Sequence, residues 1–193
     1  MELSTSLLLL IGARGTGKST VGRAVAARLG WDFIDTDECI ESVAEATITE
    51  IFATQGEAGF RDREAEVLAE LCRRQRYVIA TGGGVVLRPA NRELLKKSGF
   101  VVWLTASPEA AFARLQTDPT TATRRPNLTA KGGLDEIRTL MASREPLYRE
   151  CGDFVMETDA LSPEAAADAI LTAWNSGSKA PPSSGASSSS SSA

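Results

Sequence analysis

The chain has 193 residues, 42% of them hydrophobic and 24% charged, proportions that suit one ordinary globular domain able to fold without a disulfide or metal staple. It contains no histidine, which excludes a Ser-His or Cys-His nucleophile pair and any histidine-ligated metal. Its 21 Lys and Arg against 25 Asp and Glu leave a net charge of -4, which argues against a broad electrostatic footprint for nucleic acid and leaves room only for local basic clusters.

In chain order, the apolar run Leu7 to Ile11 predicts a buried strand. It is too short to span a bilayer and follows Glu2 rather than a basic segment, so a cytoplasmic protein without membrane partners is expected. Next comes Gly12-Ala13-Arg14-Gly15-Thr16-Gly17-Lys18-Ser19, which fits the G-x-x-x-x-G-K-[ST] pattern, and an amphipathic segment from Lys18 to Leu29 follows as the expected helix. Glycines there let backbone N–H groups turn inward toward phosphate oxygens, and the helix N-terminus adds its positive dipole end. Lys18 is read as bridging the β- and γ-phosphates and the Ser19 hydroxyl as a Mg²⁺ ligand, while Thr20 points elsewhere on the helix. This turn predicts a bound nucleoside triphosphate. It does not by itself separate a kinase from a GTPase, a motor or a non-catalytic module.

A short strand, Phe33-Ile34, leads into Asp35-Thr36-Asp37. Two carboxylates emerging at a strand's carboxyl end, on one side of extended backbone, suit one group on the metal side and one accepting a hydroxyl's hydrogen bond. The alternative is that either acid merely caps the following helix. Then Gly56-Glu57-Ala58-Gly59-Phe60-Arg61-Asp62-Arg63-Glu64 opens a helix expected from Glu57 to Arg74, with Arg61 and Glu64 three apart on one face. The carboxylate can hold the guanidinium for an anionic ligand, although a solvated surface pair has the same spacing.

The strand Tyr77 to Ala80 runs into Gly82-Gly83-Gly84, where backbone can approach a ligand closely. No acid ends this strand, which leaves Asp35 as the candidate for the metal side. Helices are expected over Pro89 to Lys97, Pro108 to Leu115, Leu134 to Arg149 and Pro163 to Trp174, with strands at Val101 to Leu104 and Phe154 to Met156. Between them, residues 116–133 read as a long lid-like loop carrying Arg124-Arg125. The Ser-rich stretch 177–193 reads as a disordered tail. Cys39, Cys72 and Cys151 form no CxxC pair and read as buried thiols in a reducing compartment. The alternation of strands and helices predicts an α/β domain over residues 1–176, a parallel sheet covered on both faces.

Taken together, GARGTGKST, Asp35-x-Asp37, the Gly56 to Glu64 stretch, the triple glycine, Arg125-Pro126 and Arg144-x-Pro146-Leu147-Tyr148 resemble the shikimate kinase family over Leu7 to about Trp174. The resemblance implies a three-layer P-loop kinase fold, with a five-stranded parallel sheet in the order 2-3-1-4-5 and a mobile lid. It implies ATP-dependent, Mg²⁺-assisted phosphorylation of the 3-hydroxyl of shikimate. In those terms residues Gly12, Ala13, Arg14, Gly15, Thr16, Gly17, Lys18, Ser19 and Thr20 hold ATP, with Asp35 and Ser19 on the Mg²⁺ side. Asp37 assists deprotonation of the acceptor. Arg61 and Arg144 hold the substrate carboxylate, Gly82, Gly83 and Gly84 line the acceptor site, and Arg125 joins Lys18 in stabilising the transferring phosphoryl group.

The chain departs from the family at Asn127, where leucine is usual. The arginine-threonine pair that opens the lid is not evident in Leu115-Gln116-Thr117-Asp118. Gluconate kinase shares the phosphate turn but tends to carry a histidine after its acidic pair, and a non-catalytic regulatory module would be expected to have lost Lys18, Asp37, Arg61 or Arg144. A monomer is the expected state.

Overall fold

All five residues of Leu7–Ile11 are buried, and they form β1, the middle strand of the sheet in the computed structural model, which describes residues 6–117 and 133–177. Successive side chains of a strand face opposite ways, so Leu7, Leu9 and Ile11 enter one core while Leu8 and Leu10 enter a second. A run without polar alternation is what a strand covered on both faces requires.

The remaining strands are β2 (Asp32–Asp35), β3 (Tyr77–Ala80), β4 (Phe100–Thr105) and β5 (Phe154–Glu157), arranged β2-β3-β1-β4-β5 with every pair parallel. This is the five-stranded order expected from the family resemblance. Helices α1 (Lys18–Leu29), α2 (Thr36–Ala44), α3 (Ile48–Leu71), α4 (Pro89–Ser98), α5 (Pro108–Thr117), α6 (Gly133–Cys151) and α7 (Pro163–Asn175) supply the connections. Val21, Val25 and Ala26 of α1 and Ala166, Ala167 and Ile170 of α7 close one face. Leu68 and Leu71 of α3, Leu95 of α4 and Tyr148 and Cys151 of α6 close the other.

The third helix departs from expectation: it starts at Ile48, nine residues before Glu57, and ends at Leu71 rather than Arg74. Its true start carries a capping box, in which Thr47 Oγ1 accepts from the Glu50 N–H at 3.2 Å and the Thr47 N–H donates to Glu50 Oε2 at 2.7 Å. Gly56 then breaks the helix with φ 69° and ψ -175°, so the part after Glu57 runs along its own axis. Ile40, Ile48, Ile51 and Phe60 form a small third core between α2 and α3, drawn from both sides of the Gly56 break.

Cys151 is buried, while Cys39 and Cys72 are half-buried, and burial pushes all three thiols up from their ordinary values. No helix among the described residues is long and apolar enough to cross a membrane. The expected lid, apart from residues 116, 117 and 133, and the expected tail beyond Gly177 lie outside the described residues.

Because the strands are parallel, their carboxyl ends share one edge of the sheet, and the loops there are where ligands of open α/β sheets bind. Packing beneath that edge is tight at Gly22 of α1, where a Cβ would lie 2.6 Å from the Phe33 ring and 3.0 Å from Leu10 Cδ1. Gly22→Ala is therefore expected to destabilise by about 1–3 kcal/mol. A mid-helix glycine in open space would instead gain about 1 kcal/mol on the same change. Thermal unfolding of the variant decides the sign.

Candidate active site

The turn after β1 holds Gly12 at φ 141°, Gly15 at φ 80° and Gly17 at φ 88°, conformations that side chains with a Cβ rarely adopt. Space enforces the same choice: a Cβ on Gly12 would overlap the Leu104 carbonyl oxygen, and one on Gly15 would lie 2.6 Å from that of Ala111. Lys18 Nζ donates to the Gly12 and Ala13 carbonyls at 2.9 and 2.7 Å, and Thr16 Oγ1 donates to Ala13 O at 2.9 Å. The lysine thus lies back along the turn that it is expected to serve. Thr20 faces outward and is exposed.

Asp35 ends β2 and performs two tasks at once. Its Oδ1 caps α2 by accepting the Asp37 N–H at 3.0 Å, and its Oδ2 accepts the Ser19 hydroxyl at 2.6 Å. The chain enters α2 at Thr36, so Asp37 reaches the site from a helix's first turn rather than from the extended backbone anticipated. Thr36 Oγ1 accepts the Gly82 N–H at 2.9 Å and ties the end of β2 to the triple glycine. The Ser19 and Asp35 oxygens are hard donors suited to Mg²⁺, and among the described residues no cluster of three or more His, Cys, Asp or Glu forms a full protein cage.

Arg61, 9% exposed, donates Nη1 to Glu64 Oε2 at 2.7 Å, and Glu57 Oε1 lies 3.3 Å from its Nη2. Glu64 is 1% exposed, so the solvated-pair reading does not hold. Burial pushes its carboxyl above the ordinary range, against the pull of Arg61. The oxygen that Arg61 leaves aside, Oε1, is buried and accepts no hydrogen bond among the described residues. Arg144 donates to Gly83 O at 3.1 Å, which makes it part of the site rather than a surface charge. Glycine is required where these groups meet. A Cβ on Gly82 would lie 2.9 Å from both Asp37 Oδ1 and Glu64 Oε1, and one on Gly84 would overlap the Arg61 guanidinium.

Asp37, Arg61, Glu64, Gly82, Gly83, Gly84 and Arg144 converge on a cavity of about 470 Å³, and Ala13 and Arg14 bring the phosphate turn to its edge. Ile48, Phe52, Phe60, Leu140 and Met141 form its apolar wall. A site with two guanidinium groups and a carboxylate beside a phosphate turn can hold a small hydroxylated acid against a nucleotide.

A sequence profile of the family described as shikimate kinase matches residues 14–175. The chain belongs to the shikimate kinase family. It is 47% identical over 157 residues to the shikimate kinase of Rhodopirellula baltica, covering 81% of this chain and 84% of that one. To the shikimate kinase of Burkholderia lata it is 48% identical over 151 residues, covering 78% and 80%. Among solved structures, a shikimate kinase from Acinetobacter baumannii in complex with shikimate matches with a TM-score of 0.84 at 39% identity, over 90% of this chain and 95% of that one. Deoxyadenosine kinase from M. mycoides, at 13% identity and a TM-score of 0.57, shares the fold alone. The chain is an ATP-dependent phosphotransferase of this family, and nothing in these likenesses favours gluconate kinase or a non-catalytic module.

Of the anticipated shikimate kinase residues, Arg125 lies outside the described residues, Asp37, Arg61, Gly82, Gly83, Gly84 and Arg144 line the cavity, Asp35 joins Ser19 beside the phosphate turn, and Thr20 faces away. Three contributors were not anticipated. Thr36 is one. Arg114 of α5 is another, donating to Gly15 O at 3.3 Å, to Thr158 Oγ1 at 2.9 Å and to Thr158 O at 2.7 Å. It fastens the phosphate turn to the segment after β5, from the position just before the Leu115-Gln116-Thr117-Asp118 stretch where the lid's arginine was expected. Tyr148 is the third. Gly84→Ala should displace the Arg61 guanidinium and raise the KM for shikimate at least about tenfold, the scale of one disturbed charged hydrogen bond. Steady-state kinetics with circular dichroism as the folding control tests this.

Proposed function

We propose that the chain moves the ATP γ-phosphoryl group to the 3-hydroxyl of shikimate, with Asp37 facing the reacting hydroxyl and Arg61 and Arg144 holding the carboxylate. The observation that carries these roles is the cavity in which a buried, carboxylate-held arginine, a second arginine and Asp37 face one another next to the phosphate turn. Two guanidinium groups supply the forked donors that a carboxylate accepts. Gly83 and Gly84 offer backbone N–H groups at the same wall.

In the transfer, Asp37 accepts the hydrogen bond of the 3-hydroxyl and takes its proton as the oxygen bonds to the γ-phosphorus. The bond from that phosphorus to the β–γ bridging oxygen breaks, ADP leaves, and Asp37 returns the proton to solvent. Lys18 exchanges the Gly12 and Ala13 carbonyls for the β- and γ-phosphate oxygens. Backbone N–H groups of residues 12–20 and the N-terminus of α1 hold the phosphates. Ser19 and Asp35 would hold Mg²⁺, directly or through water, and the ion would supply charge neutralisation to the phosphates. Arg125 would add a further positive charge from the lid at 116–133. No step requires a histidine or a covalent enzyme intermediate.

The reading extends to a single kinase domain over residues 1–176, working as a cytoplasmic monomer with a Ser-rich tail outside the chemistry and no nucleic-acid or membrane partner. A net charge of -4 and three cysteines without pairing spacing support it.

A coupled ADP-release assay with shikimate, gluconate and nucleoside monophosphates side by side tests the substrate, and stimulation by shikimate alone is the expected outcome. Asp37→Asn should cut kcat by about 10²–10⁴-fold, the range for a lost general base, and leave the KM for ATP within about threefold. A variant retaining most of its kcat removes Asp37 from that role. Arg61→Ala should raise the KM for shikimate far more than that for ATP, and equal losses would argue against the carboxylate clamp.

A further inference from the structure

Tyr148 has no part in the roles above, yet it is 1% exposed and its hydroxyl donates to Gly83 O at 2.5 Å. The same oxygen accepts Arg144 Nη1 at 3.1 Å, so two donors from one face of α6, four residues apart, occupy both lone pairs of a single carbonyl. No peptide bond among the described residues is cis, and in a trans peptide the C=O and N–H point opposite ways. Holding Gly83 O therefore sets the direction of the Gly84 N–H. Neither the Gly83 nor the Gly84 N–H donates to another described residue, and both glycines line the cavity.

The tyrosine ring is itself held in place. It stacks on Trp103 with centroids 6.0 Å apart and planes at 23°, and the Arg149 guanidinium carbon lies 5.4 Å from the centroid of the same indole. Burial pushes the hydroxyl up to about 12, so it remains a donor across the physiological range.

We propose that Tyr148 is a positioning residue for the acceptor substrate. With Arg144 it clamps the Gly83 carbonyl, aims the Gly83–Gly84 peptide into the cavity, and keeps the remaining Arg144 donors directed at the substrate carboxylate. The proposal rests on the shikimate reading above.

Tyr148→Phe removes the hydroxyl and keeps the ring. The expected result is a rise of about three- to tenfold in the KM for shikimate, one net hydrogen bond's worth, with the KM for ATP within twofold of the parent. An unchanged shikimate KM, or an equal rise in both KM values, overturns it. A second measurement uses the unsubstituted protein. The chain has two tyrosines, Tyr77 and Tyr148, so 3-fluorotyrosine labelling gives two ¹⁹F signals, and Tyr77 begins β3 at the edge of the sheet opposite the site. Saturating shikimate should move the Tyr148 signal and leave the Tyr77 signal in place. A Tyr148 signal that stays put overturns the proposal even if Tyr148→Phe does not fold. If Arg61→Ala also keeps the parental shikimate KM, the carboxylate clamp fails instead.

Discussion

An arginine as buried as Arg61, 9% exposed, demands a carboxylate at hydrogen-bond distance, and its pair with Glu64 at 2.7 Å is the constraint around which this site is arranged. An uncompensated charge at such burial costs several kcal/mol, so neither partner is dispensable. Because both sit on α3, the pair fixes that helix against the triple glycine, where any Cβ at Gly84 would strike the guanidinium. The bare backbone at Gly82 and Gly84 is a consequence of the charged groups packed against it. Thr36 and Arg144 then secure the same backbone from the β2 end and from α6.

The nucleotide side is built on a comparable economy of groups. Lys18 rests on two carbonyls of its own turn, and Arg114 joins that turn to Thr158, so the loop keeps its shape through contacts within the protein. Asp35 links the two halves, since its one carboxylate caps the helix bearing Asp37 and receives the hydroxyl of Ser19.

Much of the fold and the phosphate turn was legible in the residues themselves. The glycine pattern from Gly12 to Ser19 and the uninterrupted apolar run before it disclosed the central strand and the phosphate-binding turn at its end, because both patterns are local in sequence. The capping box at Thr47 was a local signal too, but Gly56 interrupts the helical period and made the later half look like the whole element. Thr36, Arg114 and Tyr148 were not legible as site residues because their partners lie 46, 44 and 65 positions away. Nothing short of the fold brings such groups together. Asp35 was read as either a cap or a metal-side acid, and its two oxygens allow it to be both.

The third core has a different consequence. Ile40, Ile48, Ile51 and Phe60, with the Phe52 ring tilted 31° against that of Phe60 at 4.8 Å, draw on α2 and on both sides of the Gly56 break in α3. Ile48, Phe52 and Phe60 also form the apolar wall of the acceptor cavity. The side chains that hold this small core together therefore also fix one wall of that cavity.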